Sequence, residues 1–208
     1  MDTITIVPST AWGDLPEWGE PILRILNERI FLTTSQITKC FPIYGRNNMR
    51  RKLNKLADMN YLRRYELTKE NNIITGYSIG EEGCRETRKI IPEITYEKAL
   101  EFIAANEFCF ANGIVKPVFW VSKGLTVGEI VINEQKYALW CPRKMDPRIN
   151  SLKSEVSLSC RGIIIVTPTV KLIHIIAQNL DTFMPVIFTT DVLLTELMEY
   201  KNGSIQPI

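Results

Sequence analysis

The spacing of apolar positions predicts a run of short elements in the first eighty residues. From Pro21, the residues Ile22, Leu23, Leu26 and Ile30 recur at three- and four-residue intervals, which predicts a helix with proline in its first turn. Thr33 followed three residues later by Gln36 has capping-box spacing. The apolar Ile37, Cys40 and Phe41 behind it predict a short second helix stopped at Pro42. A third helix is predicted over about 47–59, with Met49, Leu53, Leu56 and Ala57 on one face and Asn60 as a left-handed C-cap. Residues 61–67 and 73–79, parted by a polar tip at 68–72, have the form of a β-hairpin. Three helices and a hairpin in this order predict a winged helix-turn-helix over 18–80. The first sixteen residues, with Pro8 and Pro16 and no clear period, read as an arm or an irregular strand.

Beyond this block, a helix is expected from about 81 to 90, ended by Pro92, and a longer one over 94–112; together they form a helical connector, 81–112. The remainder, 113–208, carries short β-prone runs at 118–121, 129–132 and 137–140, with a hairpin turn at 133–136. A basic loop at 142–148 and a helix over 149–159 follow. The continuous apolar run 162–166 has the character of a strand buried on both faces. A helix over 169–180 and a strand over 185–190 complete a strand–helix–strand unit, which implies a parallel crossover. The fold class expected is α+β: a winged helix-turn-helix followed by a mixed-sheet α/β domain, whose element order is that of a degenerate restriction-endonuclease-like core.

The composition of the 208 residues, 45% hydrophobic and 23% charged, is that of an ordinary globular chain and excludes disordered and repeat-fibre classes. No apolar stretch reaches the roughly 18–20 residues of a membrane span, and Met1-Asp2-Thr3 lacks the order of a secretion signal, so a cytoplasmic protein away from membranes is expected. Five cysteines without a C-x-x-C pair, beside one histidine, favour buried thiols over a disulfide framework or a structural zinc site. Charge changes the picture more. Residues 20–69 hold eleven Lys or Arg against four Asp or Glu, a net of +7, whereas the rest of the chain nets −5. A basic block on a mildly acidic body suggests a polyanion-binding module.

Placed at 100° intervals, the third helix turns Arg51, Lys55, Asn48, Asn47 and Asp58 away from its apolar face, with Arg50 and Lys52 on the flanks and Arg46 just ahead. Asn can pair with adenine and Arg with guanine in a major groove, while flanking cations reach phosphates. Arg63, Arg64 and the hairpin-tip Lys69 would add backbone or minor-groove contacts. The competing reading is a basic solvated face.

In the second half, Glu134-Gln135-Lys136 with Glu129 upstream is a literal match to a metal-nuclease acid–x–Lys pattern, but it falls in the predicted turn, away from the strand positions the chemistry needs. His174, between Ile173 and Ile175, reads as a packed core histidine, and Phe119, Trp120 and Trp140 as sheet-core aromatics. No G-x-S-x-G or G-x-x-x-x-G-K-[ST] motif is present. No cofactor, metal site or catalytic residue is expected from the sequence.

Arg24-Ile25-Leu26, Leu32-Thr33-Thr34-Ser35-Gln36-Ile37, Arg50-Arg51-Lys52-Leu53-Asn54-Lys55-Leu56 and Asn60-Tyr61-Leu62-Arg63-Arg64 resemble the N-terminal winged helix of the replication-relaxation proteins of bacterial plasmids and conjugative elements. The α/β half is similar to that family's degenerate nuclease-like domain, without the acidic strand positions many members carry. The resemblance implies sequence-specific double-stranded DNA binding in transcriptional, replication or transfer control of a mobile element. The use of paired half-sites by such proteins suggests a homodimer, with the α/β body serving dimerisation, partner binding or ligand sensing. A nuclease or relaxosome accessory enzyme and a protein-interaction adaptor are the alternatives.

Overall fold

The computed structural model describes residues 2–70, 72–87, 90–121, 124–182, 184–201 and 204–208, in two compact units, Met1–Ala99 and Leu100–Ile208. The first unit begins with β1 (Thr3–Val7) and a single 3-10 turn at Glu17–Gly19. It continues through α1 (Glu20–Arg29), β2 (Leu32–Thr33), α2 (Thr34–Cys40), a 3-10 turn at Pro42–Tyr44, α3 (Gly45–Asp58), β3 (Leu62–Lys69), β4 (Asn72–Ile79) and α4 (Glu81–Thr87).

Local chemistry accounts for the boundaries. The α2 capping box forms on both sides: Gln36 N–H donates to Thr33 Oγ1 at 3.2 Å, and Thr33 N–H donates to Gln36 Oε1 at 3.0 Å. Gly45, at φ 62, turns the chain into α3, a conformation open to glycine and costly for a side chain. Asn60, at φ 61, ends α3 in the left-handed region; Asn60 N–H bonds the Ala57 carbonyl and Tyr61 N–H the Leu56 carbonyl, a Schellman closure. The apolar stripes of the three helices (Ile22, Leu23 and Leu26; Ile37; Met49, Leu53 and Leu56) are buried together with Phe31, Leu32, Tyr65 and Tyr77. Each such aliphatic side chain contributes on the order of 2 kcal/mol.

The sheet order is β1-β3-β4-β2, antiparallel throughout. Of the first sixteen residues, read from sequence as an arm or irregular strand, Thr3–Val7 form a regular strand paired from Thr3 opposite Thr68 to Val7 opposite Arg64, and residues 8–16 follow without regular structure. The Phe31 ring packs edge-on to Tyr65, centroids 5.5 Å apart, and fills the space where Gly76 has no side chain. Of the predicted helix 81–90, Glu81–Thr87 form α4, Arg88 and Lys89 lie outside the described residues, and Ile90 is not helical. Asn71, in the predicted hairpin tip, also lies outside them.

α5 (Tyr96–Ala111) leads into the second unit, followed by β5 (Val118–Phe119), β6 (Gly128–Ile132), β7 (Gln135–Trp140), a 3-10 turn at Ile149–Ser151 continuing as α6 (Leu152–Glu155), β8 (Gly162–Thr167), α7 (Val170–Asn179), β9 (Val186–Thr190), β10 (Met198–Lys201) and β11 (Ser204–Pro207). Strand order in the sheet follows the chain from β5 to β11. The pairs β7–β8 and β8–β9 are parallel and the others antiparallel. The expected parallel crossover through α7 is therefore present, with Thr169 as its N-cap.

Three expectations are corrected. The β10–β11 hairpin, absent from the sequence reading, makes the sheet antiparallel on both flanks. The turn expected at 133–136 is only two residues, Asn133 at φ 48 and Glu134 at φ 64; Gln135 and Lys136 already belong to β7. The helix expected over 149–159 ends at Glu155. Beyond it the Ser157 and Ser159 hydroxyls bond each other and Ser159 N–H bonds Ser157 Oγ, local bonds that compete with a helical backbone.

On one face of this sheet Trp140, Ile165 and Phe188 pack with Leu152 of α6 and Ile173 and Ile176 of α7. Phe119, Leu139 and Ile164 share the opposite face through the strand register, and the Phe102 ring of α5 lies 6.1 Å from that of Phe119. β8 is buried from end to end, as its unbroken apolar run predicts. Arg143 ties the carboxyl ends of the three central strands together. Its Nε donates to the Cys141 carbonyl, one terminal nitrogen to the Val166 carbonyl at 2.7 Å, and the other to the Asp191 carboxylate at 2.7 Å. No helix among the described residues is long and apolar enough to cross a membrane. Four of the five thiols are buried, and Cys40 is half-buried.

Candidate nucleic-acid interface

The basic block of the sequence converges on one element. α3 buries Met49, Leu53, Leu56 and Ala57, the four positions assigned to its apolar face, and leaves Arg46, Asn47, Asn48, Arg50, Arg51 and Lys55 exposed. Four of these six side chains are cations, and none of the four makes an ion pair among the described residues. Asp58, the helix's one acid, sits at its C-terminal end, where its backbone carbonyl accepts from Thr10 and Ala11 N–H. The exposed surface of α3 is thus an unneutralised positive stripe with two amides at its N-terminal end.

The remaining predicted contacts divide in two. Lys69 is exposed at the end of β3 and Arg63 is half-buried on the same strand. Lys52 and Arg64 are engaged within the fold. The Lys52 ammonium sits 3.8 Å from the centroid of the Trp18 ring and 4.6 Å from that of Tyr44, a cation–π cradle fixing the flank of α3. Arg64 pairs with Glu66 at 3.3 Å and donates to Asn54 Oδ1 at 3.5 Å. Its Nε is buried without a hydrogen-bond partner among the described residues.

Asn54 is the residue sequence reasoning missed. It lies between the apolar and exposed faces of α3, and its Oδ1 also accepts from the Tyr77 hydroxyl of β4 at 3.1 Å. One amide oxygen thereby joins α3 to both strands of the hairpin. Burial pushes the Tyr77 hydroxyl above its ordinary pKa, against the opposing effects of a hydrogen bond from Thr34 and the nearby Arg64 and Arg50 guanidinium groups. The phenol therefore stays a donor at neutral pH. Nothing in the local spacing could have shown this contact, because Tyr77 is 23 residues away.

In the second unit, the acid–x–Lys match comes apart. Glu134 is exposed in the two-residue turn, whereas Glu129 and Lys136 meet across β6 and β7, Nζ to Oε2 at 3.2 Å. The other Glu129 oxygen faces the Cys160 thiol, Sγ to Oε1 at 3.5 Å. Burial first, and the Glu129 charge and hydrogen bond second, push that thiol up to about 11, so it is a protonated donor and not a nucleophile at neutral pH. No group of three His, Cys, Asp or Glu side chains able to hold a metal ion occurs among the described residues. His174, expected in the core, is exposed on α7, whose buried side is Leu172, Ile173 and Ile176. Trp140 is buried in the sheet as expected, while Phe119 and Trp120 are half-buried.

No protein-family model, curated protein or solved structure matches the chain.

Proposed function

We propose that the chain is a sequence-specific double-stranded DNA-binding protein, a binding protein rather than an enzyme, with α3 as the helix that enters the major groove and the β3–β4 hairpin as its wing. The observation that carries this reading is the unpaired cationic face of α3, with Asn47 and Asn48 beside it. The order of elements supports it as well: a capped short helix, a turn, a longer basic helix and a hairpin whose second strand pairs with the short strand before α2. Arg51, Asn47 and Asn48 are the base-reading candidates. Arg46, Arg50, Lys55, Arg63 and Lys69 would neutralise phosphates, and Lys52 and Arg64 would hold the helix in position for both. The role proposed is transcriptional, replication or transfer control of a bacterial mobile element, the one implied by the sequence resemblance to replication-relaxation proteins.

The test is an anisotropy titration against duplex from the chain's own genetic neighbourhood, with random duplex as competitor. With about five phosphates neutralised, the slope of log K against log salt is about −4.5, so raising salt fourfold weakens binding about 500-fold. Arg51→Ala is expected to cost about 1–3 kcal/mol on the specific site and little on random duplex, whereas Lys55→Ala weakens both and flattens the salt slope by about 1. Absence of binding at low salt would overturn the proposal.

A further inference from the structure

Among the described residues the two sheets present four edges, and only one of these lacks any protective device. β2 and β5 are two residues long, and β11 ends in Pro207, which has no N–H to offer. β1 is different. It is a five-residue strand, Thr3-Ile4-Thr5-Ile6-Val7, β-branched at every position and free of charge, proline and glycine. It pairs with β3 on one side and with nothing among the described residues on the other, and Ile6 is 50% exposed. Native edges of this length ordinarily carry a lysine, a bulge or a proline.

We propose that the open edge of β1 is a homodimer interface, pairing antiparallel with β1 of a second copy about a twofold axis through Thr5. The register argues for a second copy over an unrelated strand, because the sequence is self-complementary there. Centring on Thr5 sets Ile4 opposite Ile6 of the second copy, and Ile6 opposite its Ile4, on one face. On the other face Thr5 meets Thr5, and Thr3 meets Val7 twice. Isoleucine meets only isoleucine, all five residues are used, and no like charges face each other across the axis. A centre moved by half a residue would set isoleucine against threonine. One centred on Ile4 would set Ile6 against Asp2. The pairing would join two four-stranded sheets into one of eight strands. A pair of five-residue strands falls at the small end of interface sizes, among weak and transient associations, so a dissociation constant in the micromolar range or weaker is expected. The inference places self-association on the first unit, where the sequence had suggested the α/β body, and it stands independently of the DNA-binding proposal.

The experiment is sedimentation velocity of the full chain from about 1 to about 500 μM, a range chosen to bracket a micromolar dimer. It is joined to a cross-linking test of register. Wild type is expected to pass from 23.9 kDa to twice that mass over this range. Thr5→Lys, which puts like charges on the axis at an exposed position, is expected to raise the dissociation constant at least tenfold. In the paired register the two Thr5 Cα atoms lie about 4.5–5.5 Å apart, within disulfide reach. Thr5→Cys should therefore give a disulfide dimer under mild oxidation. Thr3→Cys, whose two copies would lie about 14 Å apart, should not exceed the wild-type background. A chain monomeric throughout the range, a dimer unaffected by Thr5→Lys, or equal cross-linking at positions 3 and 5 would each overturn the proposal. A variant's folded state is checked by its circular dichroism, and the cysteine pair reads the register even if Thr5→Lys fails to fold.

Discussion

Asn54→Leu tests whether one amide oxygen holds α3 to the hairpin. The substitution keeps approximate size and removes an acceptor shared by the Tyr77 hydroxyl at 3.1 Å and an Arg64 nitrogen at 3.5 Å. Tyr77 is fully buried, so once Asn54 is gone its hydroxyl cannot donate to water, although its oxygen still accepts from Thr34. The short neutral bond is worth about 1 kcal/mol net. The long bond to a half-buried guanidinium, together with that group's desolvation, is worth about another, for a total of about 2 kcal/mol. Asn54→Asp retains the acceptor and adds a charge beside Arg64, so its loss is expected below about 0.5 kcal/mol. Native-state hydrogen exchange of the β3 and β4 amides in the full chain reads this region specifically, and 2 kcal/mol corresponds to exchange about thirtyfold faster in the Leu variant. Exchange within twofold of wild type would mean that the oxygen holds nothing. An Asp variant as impaired as the Leu variant would show that the Oδ1 acceptor is not what matters there, because aspartate keeps both that acceptor and the shape of asparagine.

Two further outcomes follow from packing and titration. Gly76→Ala places a Cβ against Phe31 Cζ, closer than any real Cβ contact, so a fully buried ring must move, at a cost of about 1–3 kcal/mol in thermal unfolding. Phe31→Leu in the same chain should make the double variant less costly than the sum of the two, and strict additivity would refute the contact. Cys160 binds its proton more tightly folded than unfolded, so stability falls as pH rises from the ordinary thiol value of 9.0 towards about 11, by at most about 1.4 kcal/mol per pH unit for that group. Tyr61, Tyr77 and Tyr96, also raised mainly by burial, push the same way. Urea midpoints across that window should decline less steeply in Cys160→Ala, and parallel declines would exonerate the thiol.

The features legible in the sequence are those whose cause is local. Thr33 and Gln36 announce the α2 cap because both partners lie within one turn, and the exposed and buried faces of α3 follow from a period of 3.6 alone. The crossover through α7 was readable because β8 carries an unbroken apolar run. The misses are of two kinds. Asn202-Gly203, a dipeptide favoured in two-residue hairpin turns, stands between β10 and β11 in the sequence and would have disclosed that hairpin. The internal engagement of Arg64, the role of Asn54 and the pairing of β1 with β3, by contrast, depend on partners that only the fold brings near: Arg64 looks like any other surface cation until Asn54 and Glu66 are placed beside it.

The Arg143 clamp bears on the order of folding events. Its three acceptors come from the ends of β7, β8 and β9, so the guanidinium can satisfy them together only once both parallel crossovers have closed. The flanking antiparallel hairpins can form from neighbours in the chain, whereas parallel pairing must first meet the entropy of loop closure. An interaction that requires all three central strands is expected to form late, and an Arg143→Ala chevron with a φ-value near zero is the outcome that would bear this out. Its energy therefore acts on the rate of unfolding and scarcely on the rate of folding, and the arginine serves as a latch on a finished sheet rather than as a guide to its assembly.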